Sequence, residues 1–341
     1  MKLLHTETRI LIVVIFAIFS LIFPRHYPHH STLRPHDIED RICVAILVTS
    51  ATQTIRVHNI AQQVERMLRR ATKPSRISIC IYDQGDSARL QIPVHIQTSV
   101  KVARNMAINE PNHCSDSDAR AWIVDRMLSG ERYFMTVPSC FEVTENWDNT
   151  LVEMLPSADS ILTAQCESFS RDVKFLVLGD IQGSRFIVVN KPCIIKPRLP
   201  VPSLFWVPSM SFCASNIMLN SPPIANGIIR NTHADATLNG IRLWTHGYNF
   251  YTPSQVVVWR HGCCRNELVW RKPTRPRYTV ERTLIGDART TREYETFAGI
   301  DLTHKVATIR ARTGLTPSYD VTEARIKSGS VDSAVKAIHR A

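Results

Sequence analysis

Residues 41–86 read "RICVAILVTSATQTIRVHNIAQQVERMLRRATKPSRISICIYDQGD". The first ten are dense in β-branched and other apolar side chains, as expected of a buried strand. Ile55, Ile60, Val64, Met67 and Leu68 then recur at helical spacing. "RISICIYDQGD" is a second apolar run that stops in a polar turn containing Gly85. Strand, helix and strand in that order make a βαβ unit, hence a parallel sheet with a covering helix. The predicted class is α/β.

Working towards the C-terminus, "SDSDARAWIVDRMLSGE" (115–131) predicts a second helix, capped by Asp116 or Ser117 and closed by Gly130. The strand "RYFMTV" (132–137) follows and hands over to Pro138-Ser139-Cys140. In open α/β sheets ligands bind just beyond the carboxyl ends of the strands, so this tripeptide stands in a binding position. A further helix is predicted at "NWDNTLVEMLPSA" (146–158) and a strand at "SILTAQ" (160–165). Residues 174–220 are proline-rich with short apolar runs, read as strands and loops. Residues 240–265 are dense in aromatics and histidine, and 289–317 read as a small helical module. No internal repeat is present.

On the N-terminal side, Ile10–Phe23 is an uncharged apolar stretch of 14 residues, preceded by Lys2 and Arg9. It is short for a span, which takes about 20 apolar residues. The bulky residues before Pro24 do not suit signal-peptidase cleavage, which favours a signal anchor over a cleaved signal peptide. The expected organisation is a cytoplasmic tail (1–9), a signal anchor (10–23), a stem (24–40), a main domain (41–275) and a helical extension (276–341). That describes a single-pass type II membrane protein facing the Golgi or ER lumen, where the nine cysteines can oxidise. With 41 basic and 30 acidic residues the formal net charge is +11, which attracts phosphate groups. No run of five like charges, zinc-finger spacing or aromatic-basic signature accompanies it, so nucleic acid is excluded as the expected partner.

Several blocks, in order, carry a resemblance: "PSRISICIYDQ", "DARAWIVDRMLSGERYFMTVPSCFEVTENWD", "IRLWTHGYNFYTP", "VVWRHGCCR" and "RTTREYETFAGID". They resemble the polypeptide GlcNAc-transferases of glycosyltransferase family sixty, which modify hydroxyproline, serine or threonine. The resemblance implies a GT-A-like fold, a UDP-GlcNAc donor, a divalent cation (Mn²⁺ or Mg²⁺) and retaining transfer to a polypeptide or glycan hydroxyl. The family's Asp-Ser-His metal motif falls on Pro138, Ser139 and Cys140, so the carboxylate is replaced by a residue with no side-chain ligand. Where the family has Ser-Tyr-Arg-Asp after its first strand, this chain has "VTSATQT". Its Gly-Glu-Glu appears here as "ADA", which leaves Asp235 as the acid.

The resemblance implies Asp148 and Asp235 as catalytic acids, and Gln84, Arg120, Ser139 and Arg242 on the donor side. Trp244, His246 and Tyr248 fall on the acceptor side, with His261 and Asp148 as metal ligands. Arg120 suits a diphosphate because guanidinium binds such oxygens in a bidentate manner. Each also has a structural reading. Trp244 and Tyr248 are aromatics of a kind that fills cores, His246-Gly247 fits a turn, and Asp148 fits a helix cap. Asp83 and Asp86 fit a turn. Two functions follow: a transferase that is metal-independent or uses a rearranged ligand set, and an inactive family member that binds glycan or polypeptide.

Overall fold

The computed structural model describes residues 40–48, 53–83, 92–104, 116–182, 185–192, 197–223, 232–260, 285–301, 304 and 306–314. All belong to the compact unit Ile38–Ala341. The predicted anchor at 10–23 lies outside the described residues. Among the described residues no helix is long and apolar enough to cross a membrane.

The chain opens on β1 (Ile42–Val48), α1 (Gln53–Arg70), β2 (Ile77–Asp83), β3 (Val100–Arg104) and α2 (Asp116–Arg126). It continues through β4 (Tyr133–Val137), β5 (Phe141–Val143), α3 (Trp147–Met154) and β6 (Ser160–Ala164). A hairpin of β7 (Lys174–Gln182) and β8 (Arg185–Pro192) follows, then β9 (Val201–Pro202), β10 (Met210–Ala214) and α4 (Ser215–Asn220). Next come α5 (Thr232–Thr245), β11 (Asn249–Thr252), β12 (Val258–Arg260) and α6 (Thr291–Ala298). Last are β13 (Ile300–Asp301), β14 (Val306–Ala307) and α7 (Ile309–Thr313).

The predicted βαβ unit supplies β1 and β2 to the first half of an eight-stranded sheet of order β3-β2-β1-β4-β10-β6-β11-β9. β1 pairs in parallel with both β2 and β4, and β2 with β3. β10 is antiparallel to β4 and β6, so β6 and its parallel neighbour β11 run with the first half. The α/β class is therefore observed, as a mixed, mostly parallel sheet.

The apolar runs read as continuous because the strands are buried on both faces. Ile42, Val44, Ile46 and Val48 alternate into one core with Ile60, Val64 and Met67 of α1 and Trp147 and Leu151 of α3. Cys43 and Ala45 face the other core, with Ala119 and Ile123 of α2, Leu243 and Trp244 of α5, and Tyr294 of α6. Small residues fill the α2 side of β1, so that helix can approach closely.

The aromatic, histidine-rich stretch 240–265 overlaps only the end of α5, and the strands and loops expected over 174–220 do not single out β10 as a strand of the main sheet. The start of α6 is set by a capping box: Thr290 accepts from Glu293 N, and Glu293 accepts from Thr290 N at 2.6 Å. Thr290→Ala is expected to cost about 1 kcal/mol, read as a lowered urea midpoint with an unchanged slope.

Candidate functional site

Val48, Asp83 and Val137 end β1, β2 and β4 on one rim of the sheet. Pro138 and Ser139 continue from it, half-buried, and Cys140 is buried beneath. Gln63 of α1 holds this turn: its Oε1 accepts from Phe141 N at 3.3 Å, and its Nε2 lies 4.0 Å from Cys140 Sγ. Cys140 is disulfide-bonded. Cys43, Cys80, Cys166 and Cys213 are free, so its partner lies outside the described residues. A sulfur committed to a disulfide offers no thiolate to a metal or an acyl group.

Helices α2 and α5 bring two of the expected residues to this rim. α2 leads back from the rim to the start of β4, and Trp122 in it meets Tyr82 edge-on at 5.5 Å, next to the carboxyl end of β2. α5 likewise descends from the rim to the start of β11. Arg120 of α2 and Asp235 in the first turn of α5 form a buried ion pair, with side chains 4% and 1% exposed. Asn239, one turn on, donates from Nδ2 to Asp235 Oδ1 at 2.6 Å and to Ser117 Oγ at 3.1 Å. Burial pushes the Arg120 guanidinium down to about 10, against the pull of Asp116 and Asp118, so it stays charged at neutral pH. Its Nε is buried with no hydrogen-bond partner among the described residues. A buried N–H left unmatched is costly and invites an acceptor.

Asp148 is placed elsewhere. It is fully buried in the first turn of α3, and its Oδ1 accepts from Thr72 N at 2.7 Å. Oδ2 accepts from Lys73 N at 3.1 Å and from Arg76 Nε and Nη2 at 3.1 and 2.8 Å. Thr72, Lys73 and Arg76 precede Ile77, which pairs with Ile42, so the cluster sits at the amino ends of the strands. The expectation of a catalytic or metal-binding Asp148 meets a different geometry. The carboxylate is a clamp on the α1–β2 connection, at the opposite end of the sheet from Ser139. Burial alone would raise its pKa, but the two backbone N–H groups and Arg76 hold it below the usual value.

The block "RLWTHGY" that carried the acceptor-side expectation also lies away from the rim. Its residues close α5, whose 14 residues span about 20 Å, and Asn249 beyond it pairs with Ser160 at the amino end of β6. Arg242, expected on the donor side, is buried and donates to Ser221 O at 3.1 Å. Trp244 packs on Phe297 and Tyr294 with ring centroids 5.5 Å away in each case, and Arg289 lies 4.6 Å above its ring. His246 Nδ1 lies 2.7 Å from Arg242 O, and Gly247 takes φ +98° to end the helix. Tyr248 packs half-buried against the same core. Trp244, through Tyr294 and Phe297, docks α6 onto α5.

Arg120, Asp235 and Ser139 therefore share the carboxyl-end rim, while Asp148, Arg242, Trp244, His246 and Tyr248 do not. Gln84 and His261 lie outside the described residues. Among the described residues no group of three or more His, Cys, Asp or Glu could hold a metal ion. The residues at the metal-motif position fit a hard cation poorly: proline has no side-chain ligand atom, no carboxylate is present and Cys140 is in a disulfide.

Residues 117–285, just under half of the chain, match the model of the family described as Glycosyltransferase (GlcNAc). That match supports a glycosyltransferase assignment in general. No curated protein matches. Solved structures with a similar chain course include GalNAc-T7 with UDP, GalNAc and Mn²⁺, at 11% identity and TM-score 0.49, covering 64% of this chain and 43% of that one. Another is S. aureus TarS, at 8% identity and TM-score 0.42, covering 64% and 36%. The chain spans less than half the length of either structure.

Proposed function

We propose that this chain transfers a sugar from a nucleotide-sugar donor to an acceptor hydroxyl at the carboxyl-end rim of its sheet. The family match over 117–285 carries the reading, because that segment contains Arg120, Ser139 and Asp235. The finer form rests on the sequence blocks quoted above: UDP-GlcNAc as donor, retention of configuration, a polypeptide or glycan acceptor and a GT-A-like domain. A sheet whose parallel half meets an antiparallel strand at β10 is compatible with that fold. The type II anchor and the lumenal Golgi or ER location rest on residues 10–23 alone.

Loss of UDP needs its developing diphosphate charge neutralised. Arg120 is the charged group that this reading assigns to it. Asp235 is a positioning residue: it orients the guanidinium, and Asn239 in turn orients Asp235. Its two carboxylate oxygens are engaged by Arg120 and Asn239, an arrangement that suits orientation. No step is assigned to a divalent cation, for the reasons of ligand chemistry given above.

A second reading has its own observation. Pro138 and the disulfide-bonded Cys140 leave the metal-motif position without a carboxylate, as a scaffold kept for binding alone would tolerate. Calorimetry of the full chain with UDP and UDP-GlcNAc, in Mn²⁺ and in EDTA, separates the two. The transferase reading expects UDP binding that persists in EDTA. Binding that requires Mn²⁺ would move charge neutralisation from Arg120 to ligands such as His261. No binding in either buffer would leave the inactive binder.

A further inference from the structure

A groove opens on the same rim, two strands along from Ser139. Its floor is the carboxyl end of β6 at Ala164, the end of β11 at Thr252 and the first residue of β10, Met210. Its walls are the 165–174 connection, Asn190 of β8, and the 253–259 segment with Trp259. Strands lie about 4.8 Å apart, so β6 is on the order of 10 Å from β4.

The walls are tied down from several directions. Arg260 N donates to Glu167 O at 2.7 Å, Cys166 N to Ser209 Oγ at 3.0 Å, and Asn190 Nδ2 to Gln165 O at 2.9 Å. Lys174 pairs with Glu167 at 2.5 Å. Against this frame stands an aromatic pair that joins neither core. Trp259 is half-buried, Phe169 is 60% exposed, and their rings meet at 65° with centroids 4.9 Å apart. Ser168, Asp172, Gln255 and Asn190 line the groove around Trp259. Scattered exposed aromatics are ordinary, but an aromatic pair at the edge of a groove of mixed polarity on the carboxyl-end rim marks a recognition surface.

From this geometry we propose that the groove is the acceptor subsite and that it takes a neutral pyranose ring. The proposal rests on the transferase reading for the word acceptor. The chemistry of recognition follows from the side chains. The negative face of an aromatic ring attracts the weakly positive C–H face of a pyranose. Carboxylate, amide and hydroxyl groups together supply both the donors and the acceptors that sugar hydroxyls need. A polyanion is disfavoured by Asp172, because the one lysine of the lining, Lys174, is paired with Glu167. A proline-rich peptide helix seats between parallel aromatic walls, whereas Phe169 stands edge-on to Trp259 and leaves a single flat face.

The test is saturation-transfer NMR with the full chain and a panel of methyl pyranosides, run beside calorimetry of UDP. The expected result is pyranoside binding that falls at least tenfold in both Trp259→Ala and Phe169→Ala, with UDP affinity unchanged. Phe169 is mostly exposed, so its variant folds even if Trp259→Ala does not. Pyranoside binding that is absent, or indifferent to both substitutions, overturns the proposal. So does a proline-rich peptide that binds more tightly than every pyranoside and depends on the same two rings. UDP binding reports on the transferase reading by itself: its loss in the wild type with pyranoside binding intact would sink that reading and with it the acceptor role.

Discussion

Asp148→Asn is expected to destabilise the protein by about 3–5 kcal/mol, the range for breaking a buried ion pair from one side. The substitution keeps the volume and one carbonyl oxygen. It removes the charge that balances Arg76, whose side chain is 9% exposed, and turns a donor group towards other donors. It also loosens the acceptors of Thr72 N and Lys73 N, so the cost falls on the whole α1–β2 connection. Urea unfolding followed by tryptophan fluorescence reads it, since Trp147 is adjacent, fully buried, and donates from Nε1 to Met67 O at 2.9 Å. The same carboxylate predicts a pH dependence. Its pKa is lowered on folding, so its stabilisation is complete above the unfolded-state value of about 3.9. It is lost as pH falls through the lower folded value. The asparagine variant is expected to show a shallower loss of stability below about pH 4. A wild-type acid limb in that variant would refute the clamp.

The second large effect concerns Arg120 and Asp235. Asp235→Leu leaves a buried guanidinium without its counter-charge and is expected to cost about 3–5 kcal/mol. Arg120→Met alone strands the carboxylate and is expected to cost a similar amount. The double variant Arg120→Met/Asp235→Leu is expected to recover much of the loss, because replacing both partners by apolar groups removes the desolvation penalty along with the attraction. Stability alone would describe any buried pair, so UDP binding supplies the other readout. If Arg120 meets the donor diphosphate, the double variant regains stability yet binds UDP at least tenfold more weakly, about 1.4 kcal/mol. Wild-type UDP affinity in the stable double variant would reduce the pair to a strut between α2 and α5.

The two families of polar residues differ in how far sequence could place them. The resemblance implies Arg120, Asp235 and Ser139, and the fold gathers them on one rim although 115 positions separate Arg120 from Asp235. It implies Asp148, Trp244 and His246 on the same basis, and these are gathered at the other end of the sheet. Nothing in their local pattern distinguishes the cases: an aspartate near a helix start is a cap, a clamp or a ligand depending on what faces it. The Trp259 groove is not legible in sequence for a related reason. Its walls come from three separate connections, and only the fold sets Trp259 of the "VVWRHGCCR" block beside Phe169.

The βαβ unit, the α/β class and the strand that ends at Val137 follow from sequence alone. Hydrophobic periodicity is local, and burial on both faces of a parallel sheet leaves continuous apolar runs in strands such as Ile42–Val48. Which end of the sheet each side chain reached was decided only by tertiary structure. A helix about 20 Å long carries Asp235 at its start and Trp244 at its close. Only the packing of that helix between the rim and the start of β11 determines which of the two stands where a ligand binds.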